Sequence, residues 1–154
     1  MSIFLQIPDV TGESTIEGFI GQFLAGSLFW GGASILGQGI KPTYKTSPTG
    51  VSVSKRGTIN SPTLMLLMVN QKKLGSVVIT ISKELAGKSL PVHVYTLSNA
   101  YLMSMSQSTN NQNPDEDLTF NYSRVTYKQI YYDNAGIKTG DETHYWDVAT
   151  SKGA

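Results

Sequence analysis

Two histidines, His93 and His144, are the first places to look for chemistry in this chain. Each falls in a stretch with strand character. Neither has a histidine four residues away, the spacing that puts two imidazoles on one helical face for zinc. His93 is out of phase with Val92 and Val94, which makes it a surface or interface imidazole. His144 stands near Glu142 and Asp147. A carboxylate–imidazole pair can move protons, but these residues read more simply as a solvated polar cluster. Asp115, Glu116 and Asp117 bring three carboxylates together. They lack the alternating spacing of a calcium loop, so they read as part of a solvated loop. The chain has no cysteine, which removes disulfides, thiolate metal sites and cysteine nucleophiles together. No glycine-rich turn follows a strand and opens a helix, and no G-x-S-x-G elbow occurs. An enzyme reading therefore starts low, and no catalytic residue, metal ligand or cofactor is assigned.

What remains distinctive is aromatic. Residues 117–133, DLTFNYSRVTYKQIYYD, carry Tyr122, Tyr127, Tyr131 and Tyr132 with no Gly or Pro. Clustered tyrosines suit an interface, where one end of the side chain is apolar and the other wet. The alternation breaks midway. Leu118, Phe120 and Tyr122 keep one phase, and Val125, Tyr127 and Tyr131 keep the other. Side chains alternate faces along a strand, so the change predicts one extra residue, a β-bulge near Ser123 and Arg124. The alternative is a strand buried on both faces, once in its own subunit and once in a neighbour.

The elements that would position these residues are mostly strands. The 154 residues fit one domain, 1–154. Alternation predicts strands at Ile3–Leu5–Ile7, through the apolar run 23–30, at Val51 and Val53, at 76–82, 90–94 and 100–106, along 117–133, and around 143–148. Residues 107–117 read as a polar loop. Ser61 as cap, Pro62 at the first helical position and Leu64, Met65, Leu67 and Met68 at helical spacing predict one short helix over about 62–73. Lys72 and Lys73 would sit at its negative end and Gly75 would stop it. Leu64, Leu67 and Met68 would face the sheet. Residues 31–50 are rich in Gly, Pro, Ser and Thr and read as a long exposed loop. Regular strands with one helix give a mainly β fold, a sandwich or barrel.

Composition narrows the partners. Charged residues make up 15% of the chain and the formal net charge is +1. The charged share is well below the ordinary ~25%, as in a surface rich in Ser, Thr and Asn, which this chain has, or in one partly covered by copies of itself. Nothing suggests a phosphate-tracking groove for nucleic acid. No apolar run reaches the ~20 residues of a membrane span, and MSIFLQIPDV is no signal peptide because its apolar run stops at Pro8. The expectation is a protein made soluble in the cytosol, cytoplasmic at first; if it leaves the cell, a dedicated machine must carry it.

Five strings in order give a resemblance. They are IFLQIPDVTGES (3–14), Trp30-Gly31, VSVSKRGTINSPTLM (51–65), LTFNYSRVTYKQI (118–130) and DETHYWDVATSKG (141–153). Together the chain resembles the Hcp family, the tail-tube proteins of bacterial type VI secretion systems. The sequence departs from that family where Phe29-Trp30 replaces a tryptophan pair and where Arg56-Gly57 follows Lys55.

The resemblance implies a closed or nearly closed β-barrel of two sheets, one flanking helix and a long extended loop. It implies a homohexameric ring with a wide channel and rings stacked into a tube. A spike protein would cap the tube, a contractile sheath would surround it, and effector proteins would ride in the channel. Ser27 and Phe29 are then candidates for the channel wall, with Leu28 and Trp30 pointing into the barrel. Ile40, Pro42, Tyr44 and Pro48 are candidates for ring stacking, and Tyr127, Tyr131 and Tyr132 for contacts between subunits. The rival readings are a secreted-type β-sandwich module with a tyrosine platform for carbohydrate, and a phage tail-tube protein.

Overall fold

The computed structural model describes residues 1–30, 32–36, 44–48, 50–110, 113–148 and 152–153. The strands are β1 (Ser2–Gln6), β2 (Phe23–Phe29), β3 (Gly32–Leu36), β4 (Tyr44–Pro48) and β5 (Val51–Arg56). The helix α1 (Ser61–Val69) follows, then β6 (Gly75–Leu85), β7 (Lys88–Asn110), β8 (Asn113–Asn121), β9 (Arg124–Tyr132), β10 (Lys138–Asp147) and β11 (Lys152–Gly153).

The sheet runs β6–β1–β2–β5–β8, and β7 pairs with both β8 and β6, which closes a six-stranded antiparallel barrel. The 23-residue β7 makes closure possible. A straight strand of that length would span about 75 Å, so it bends from one wall into the other. Its first half pairs with β6 on one edge and β9 on the other, and its second half pairs with β8. β10 and β11 continue outward from β9 as a wing beyond the barrel.

The phase break lies at this bend, and both partner strands make it together. On one side Leu118, Phe120 and Tyr122 are buried and then Val125; on the other Leu97 is buried and then Ala100 and Leu102. The predicted bulge is thus a corner. β8 ends at Asn121, β9 begins at Arg124, and opposite them Asn99 takes a φ of 51°. Asn tolerates that left-handed conformation better than most residues. The corner is pinned by polar contacts. The Asn99 side chain donates to Ser123 Oγ at 2.9 Å, and the Ser123 N–H donates to the Ser98 carbonyl at 3.0 Å. Trp30 Nε1 donates to the Tyr122 hydroxyl at 3.1 Å.

Four sequence expectations need correction. In the stretch expected as a polar loop, 107–117, the described residues are the paired ends of β7 and β8, with Asn110 opposite Asn113. The helix ends at Val69, with Asn70 as its C-cap and Gln71 turning left-handed at φ 48°. Lys72, Lys73 and Gly75 lie beyond it, because the Leu74 N–H is already captured by the Ala100 carbonyl at 2.8 Å and Gly75 opens β6. Ser61 is inside the helix rather than its cap, since Asn60 holds that position and makes no side-chain cap bond. Part of the expected extended loop is ordered, with β3 and β4 pairing antiparallel from Gly32–Pro48 to Leu36–Tyr44. Ile40 and Pro42 lie outside the described residues.

Residues 9–21 do more than punctuate. They fold back over the outer face of β1, where Phe19 stacks on Phe4 at 4.1 Å with the rings nearly parallel. Phe4 and Leu5 are therefore both fully buried, on opposite faces of one strand. Gly12 permits the fold-back. A Cβ there would stand 2.4 Å from the Gln22 carbonyl carbon.

Candidate assembly surfaces

The outer face of the β2–β5–β8–β7 wall is built from small hydroxyls. Register aligns Phe29, Ser52 and Thr119 in one row, and Ser27, Ser54, Asp117 and Ser106 in the next. Ser52 Oγ and Thr119 Oγ1 share a hydrogen bond at 3.0 Å, and Ser54 donates to Asp117. A bulge between Ala25 and Ser27 shifts the phase of β2. Inward positions are Phe23 and then Leu28 and Trp30, which pack on the core. Ser27 and Phe29 consequently point out, as expected, and Phe29 is 68% exposed. Phe29→Ser should leave the urea midpoint almost unchanged, within about 0.5 kcal/mol. A large loss of stability would mean that the ring is a core residue of the monomer.

The tyrosines of β9 do not form one platform. Tyr127 shares a 2.6 Å hydrogen bond with His93 Nδ1 and meets the Tyr95 ring edge-on at 4.6 Å. Burial, then the Tyr127 hydroxyl beside it, pushes the Tyr95 phenol up to about 12. Tyr132 donates to the Pro91 carbonyl at 2.8 Å. Tyr131 is 46% exposed. Ile137, Tyr145 and Val148 are also exposed on the wing or its turns. Arg124 lies over the Tyr145 ring and pairs with Asp147 at 3.2 Å.

His144 pairs with Glu142 at 2.9 Å in an exposed setting, the polar cluster that the sequence implied. Among the described residues no three His, Asp or Glu side chains come together as a metal site. Among them also no helix is long and apolar enough to cross a membrane.

The carboxylate run 115–117 holds the feature that sequence reasoning missed. Asp115 and Asp117 face out, but Glu116 is fully buried and pairs with buried Lys55 at 2.7 Å. Gln107 Nε2 donates to Glu116 at 2.9 Å, and Lys55 also donates to the Arg56 carbonyl. Burial pushes the Glu116 carboxyl up. Hydrogen bonds from Lys55, Ser61 and Gln107 outweigh it and leave the group below its ordinary range. The pair ties β5, β7, β8 and the start of α1 at one end of the barrel. The available signal was strand phase, which puts Glu116 on the same face as Leu118 and Phe120.

The comparisons agree with this architecture. The model of the family described as "Type VI secretion system effector, Hcp" matches residues 4–129. No curated protein matches the chain. A solved structure described as a type six secretion system protein superposes with a TM-score of 0.87 at 19% identity, covering 99% of each chain. Hcp1 from Salmonella typhimurium gives 0.78 at 20% identity, over 99% of this chain and 98% of that one. A type VI secretion system effector from Yersinia pestis gives 0.77 at 16% identity, over 95% of this chain and 99% of that one. The family match extends from β1 into β9 and so takes in every barrel strand, and on that ground the chain belongs to the Hcp family, the tube proteins of type VI secretion systems.

Proposed function

We propose that six copies of this chain form a ring with a wide channel, and that rings stack into a tube propelled out of the cell. The role is structural rather than catalytic. The protein is cytoplasmic until firing and leaves through the type VI machine. A spike protein caps the tube, a contractile sheath surrounds it, and effectors travel in the channel against the hydroxyl wall that includes Ser27 and Phe29.

One observation carries this reading. The barrel closes on itself, yet the chain builds a β9–β10–β11 wing and a β3–β4 hairpin outside it. The wing leaves Tyr131, Tyr145, Ile137 and Val148 exposed, apolar surface that a neighbouring subunit would cover. A ring needs a heterologous contact, in which two different faces of each subunit meet. Tyr127, Tyr131 and Tyr132 belong to one of those faces in this reading.

Ring closure and stacking use different parts of the chain, so they should separate. Replacing residues 41–49 by a short Gly-Ser link should leave a sixfold mass in light scattering and abolish tubes in electron microscopy. Normal tubes would remove Tyr44, Pro48 and the rest of the extended segment from stacking. Monomers at every concentration of the unmodified protein would overturn the ring.

A further inference from the structure

We propose that the thioethers of Met65, Met68 and Met105 form a site for a soft monovalent metal ion, Cu(I) in chemical class, in the groove between α1 and β7. The proposal goes beyond the tube reading and does not depend on it.

The three side chains reach one place from two elements. The chain has five methionines, and Met65, Met68 and Met105 line this groove of about 430 Å³ together with Ser61, Pro62 and Gln107. Met65 and Met68 stand three positions apart on α1. That spacing makes them neighbours, about 5–6 Å apart at Cβ. Met105 comes from β7, where the pairing with β8 shifts register between Leu102 and Ser104. Met103 is therefore 51% exposed, while Leu102 and Met105 both pack on the core. Without the shift, strict alternation from Leu102 would turn Met105 outward. The irregular register thus delivers the third sulfur to the helix.

The donor set selects the ion. Thioethers are soft ligands, and soft sulfur ligands favour Cu(I). The groove lining holds no imidazole, thiolate or carboxylate. Glu116 bonds to Ser61 and Gln107 of the lining, but its charge is already met by Lys55 at 2.7 Å. Calcium and magnesium take oxygen ligands, carboxylates above all, and find no free anionic oxygen here. Zinc finds neither thiolate nor imidazole. An apolar groove also penalises a double charge more than a single one.

The side chains have the freedom to converge. Methionine is unbranched, with three rotatable bonds and a polarisable sulfur. Met68 and Met105 are anchored against the core. Met65 is 49% exposed and leaves the groove open to an arriving ion.

Two measurements on the unmodified chain test the site. In the first, dilute protein competes for Cu(I) with a chromogenic Cu(I) chelator in the absence of oxygen. The expected result is withdrawal of one equivalent of the ion. In the second, Ag(I), a closed-shell analogue that is not oxidised, is titrated into protein with isotopically labelled methionine methyl groups. The Met65, Met68 and Met105 signals should shift together and saturate at one equivalent, while those of Met1 and Met103 stay in place. Met65→Leu, Met68→Leu and Met105→Leu keep the volume of the groove. Each should weaken retention of Cu(I) by at least about tenfold, the cost of losing even an outer partner of a metal site, and Met103→Leu should not. No withdrawal from the chelator, equal shifts at Met103, or a triple Leu variant that still holds the ion would overturn the site. Zn(II) shifting the same three methyl groups would overturn its assignment to a soft monovalent ion. The methyl shifts need no variant, so they decide the matter even where a substitution disturbs folding.

Discussion

Glu116→Ala should destabilise the protein by about 3–5 kcal/mol at neutral pH, the cost of leaving a buried charge without its partner. Lys55 and Glu116 are both fully buried, and their 2.7 Å contact holds β5 against β8. Removing the carboxylate strands the ammonium over the Phe23 ring, 5.1 Å from its centroid. It also takes the acceptor from Gln107. The double variant Lys55→Met with Glu116→Leu should recover most of the loss, because apolar replacements of similar volume often match or exceed a buried ion pair. Urea midpoints for the three proteins decide it. A double variant as unstable as Glu116→Ala would show that shape, not charge, is what the site requires.

The same pair has a pH signature. The folded-state carboxyl of Glu116 is held below its ordinary value. Its contribution is therefore fully present above the unfolded-state pKa, near 4.3, and is lost as pH falls through the lower folded value. Wild type and Glu116→Ala should differ most at neutral pH and converge in strong acid. A gap that stayed constant down to strong acid would detach the effect from ionisation of this carboxylate.

Fold class was legible because alternation is a local property. The strands at 76–82 and 90–94 show it plainly, and the family strings supplied barrel closure. The corner was half legible. The phase change in 117–133 was visible, but its counterpart at Asn99 was not, because Ser98-Asn99-Ala100 reads as an ordinary small-residue stretch. The ion pair was hidden for a related reason. Three adjacent acids in polar surroundings look solvated unless the middle one is placed on the strand's inner face. The cation that satisfies it lies far away in sequence. Helix length was over-read because Lys72, Lys73 and Gly75 are good stop signals. Pairing of Leu74 with Ala100 acted first, and tertiary capture overrode local propensity. The outward direction of Ser27 and Phe29 was anticipated, although the bulge in β2 that produces it was not.

Leu64→Ala should cost about 2–5 kcal/mol, whereas Met65→Ala should stay within about 0.5 kcal/mol of the parent. The residues are adjacent, and the helix separates them. Leu64 is fully buried in the barrel core, while Met65 is 49% exposed at the groove. For a domain of this size the first change should lower the melting temperature by roughly 5–20 °C. Leu67 and Met68 are only partly buried against the core, so Leu67→Ala should fall between the two. The measurement belongs at low protein concentration, where association contributes least. There the helix is tested as part of one subunit's core. If Leu64→Ala melts with the parent in dilute solution and loses stability only when concentrated, α1 takes its burial from a neighbouring copy. The assignment of Leu64 to the monomer core would then fail. If instead Met65→Ala melts normally when dilute but weakens tubes when concentrated, the two faces of this nine-residue helix divide the work. One would then close the barrel core, and the other would serve contacts between copies.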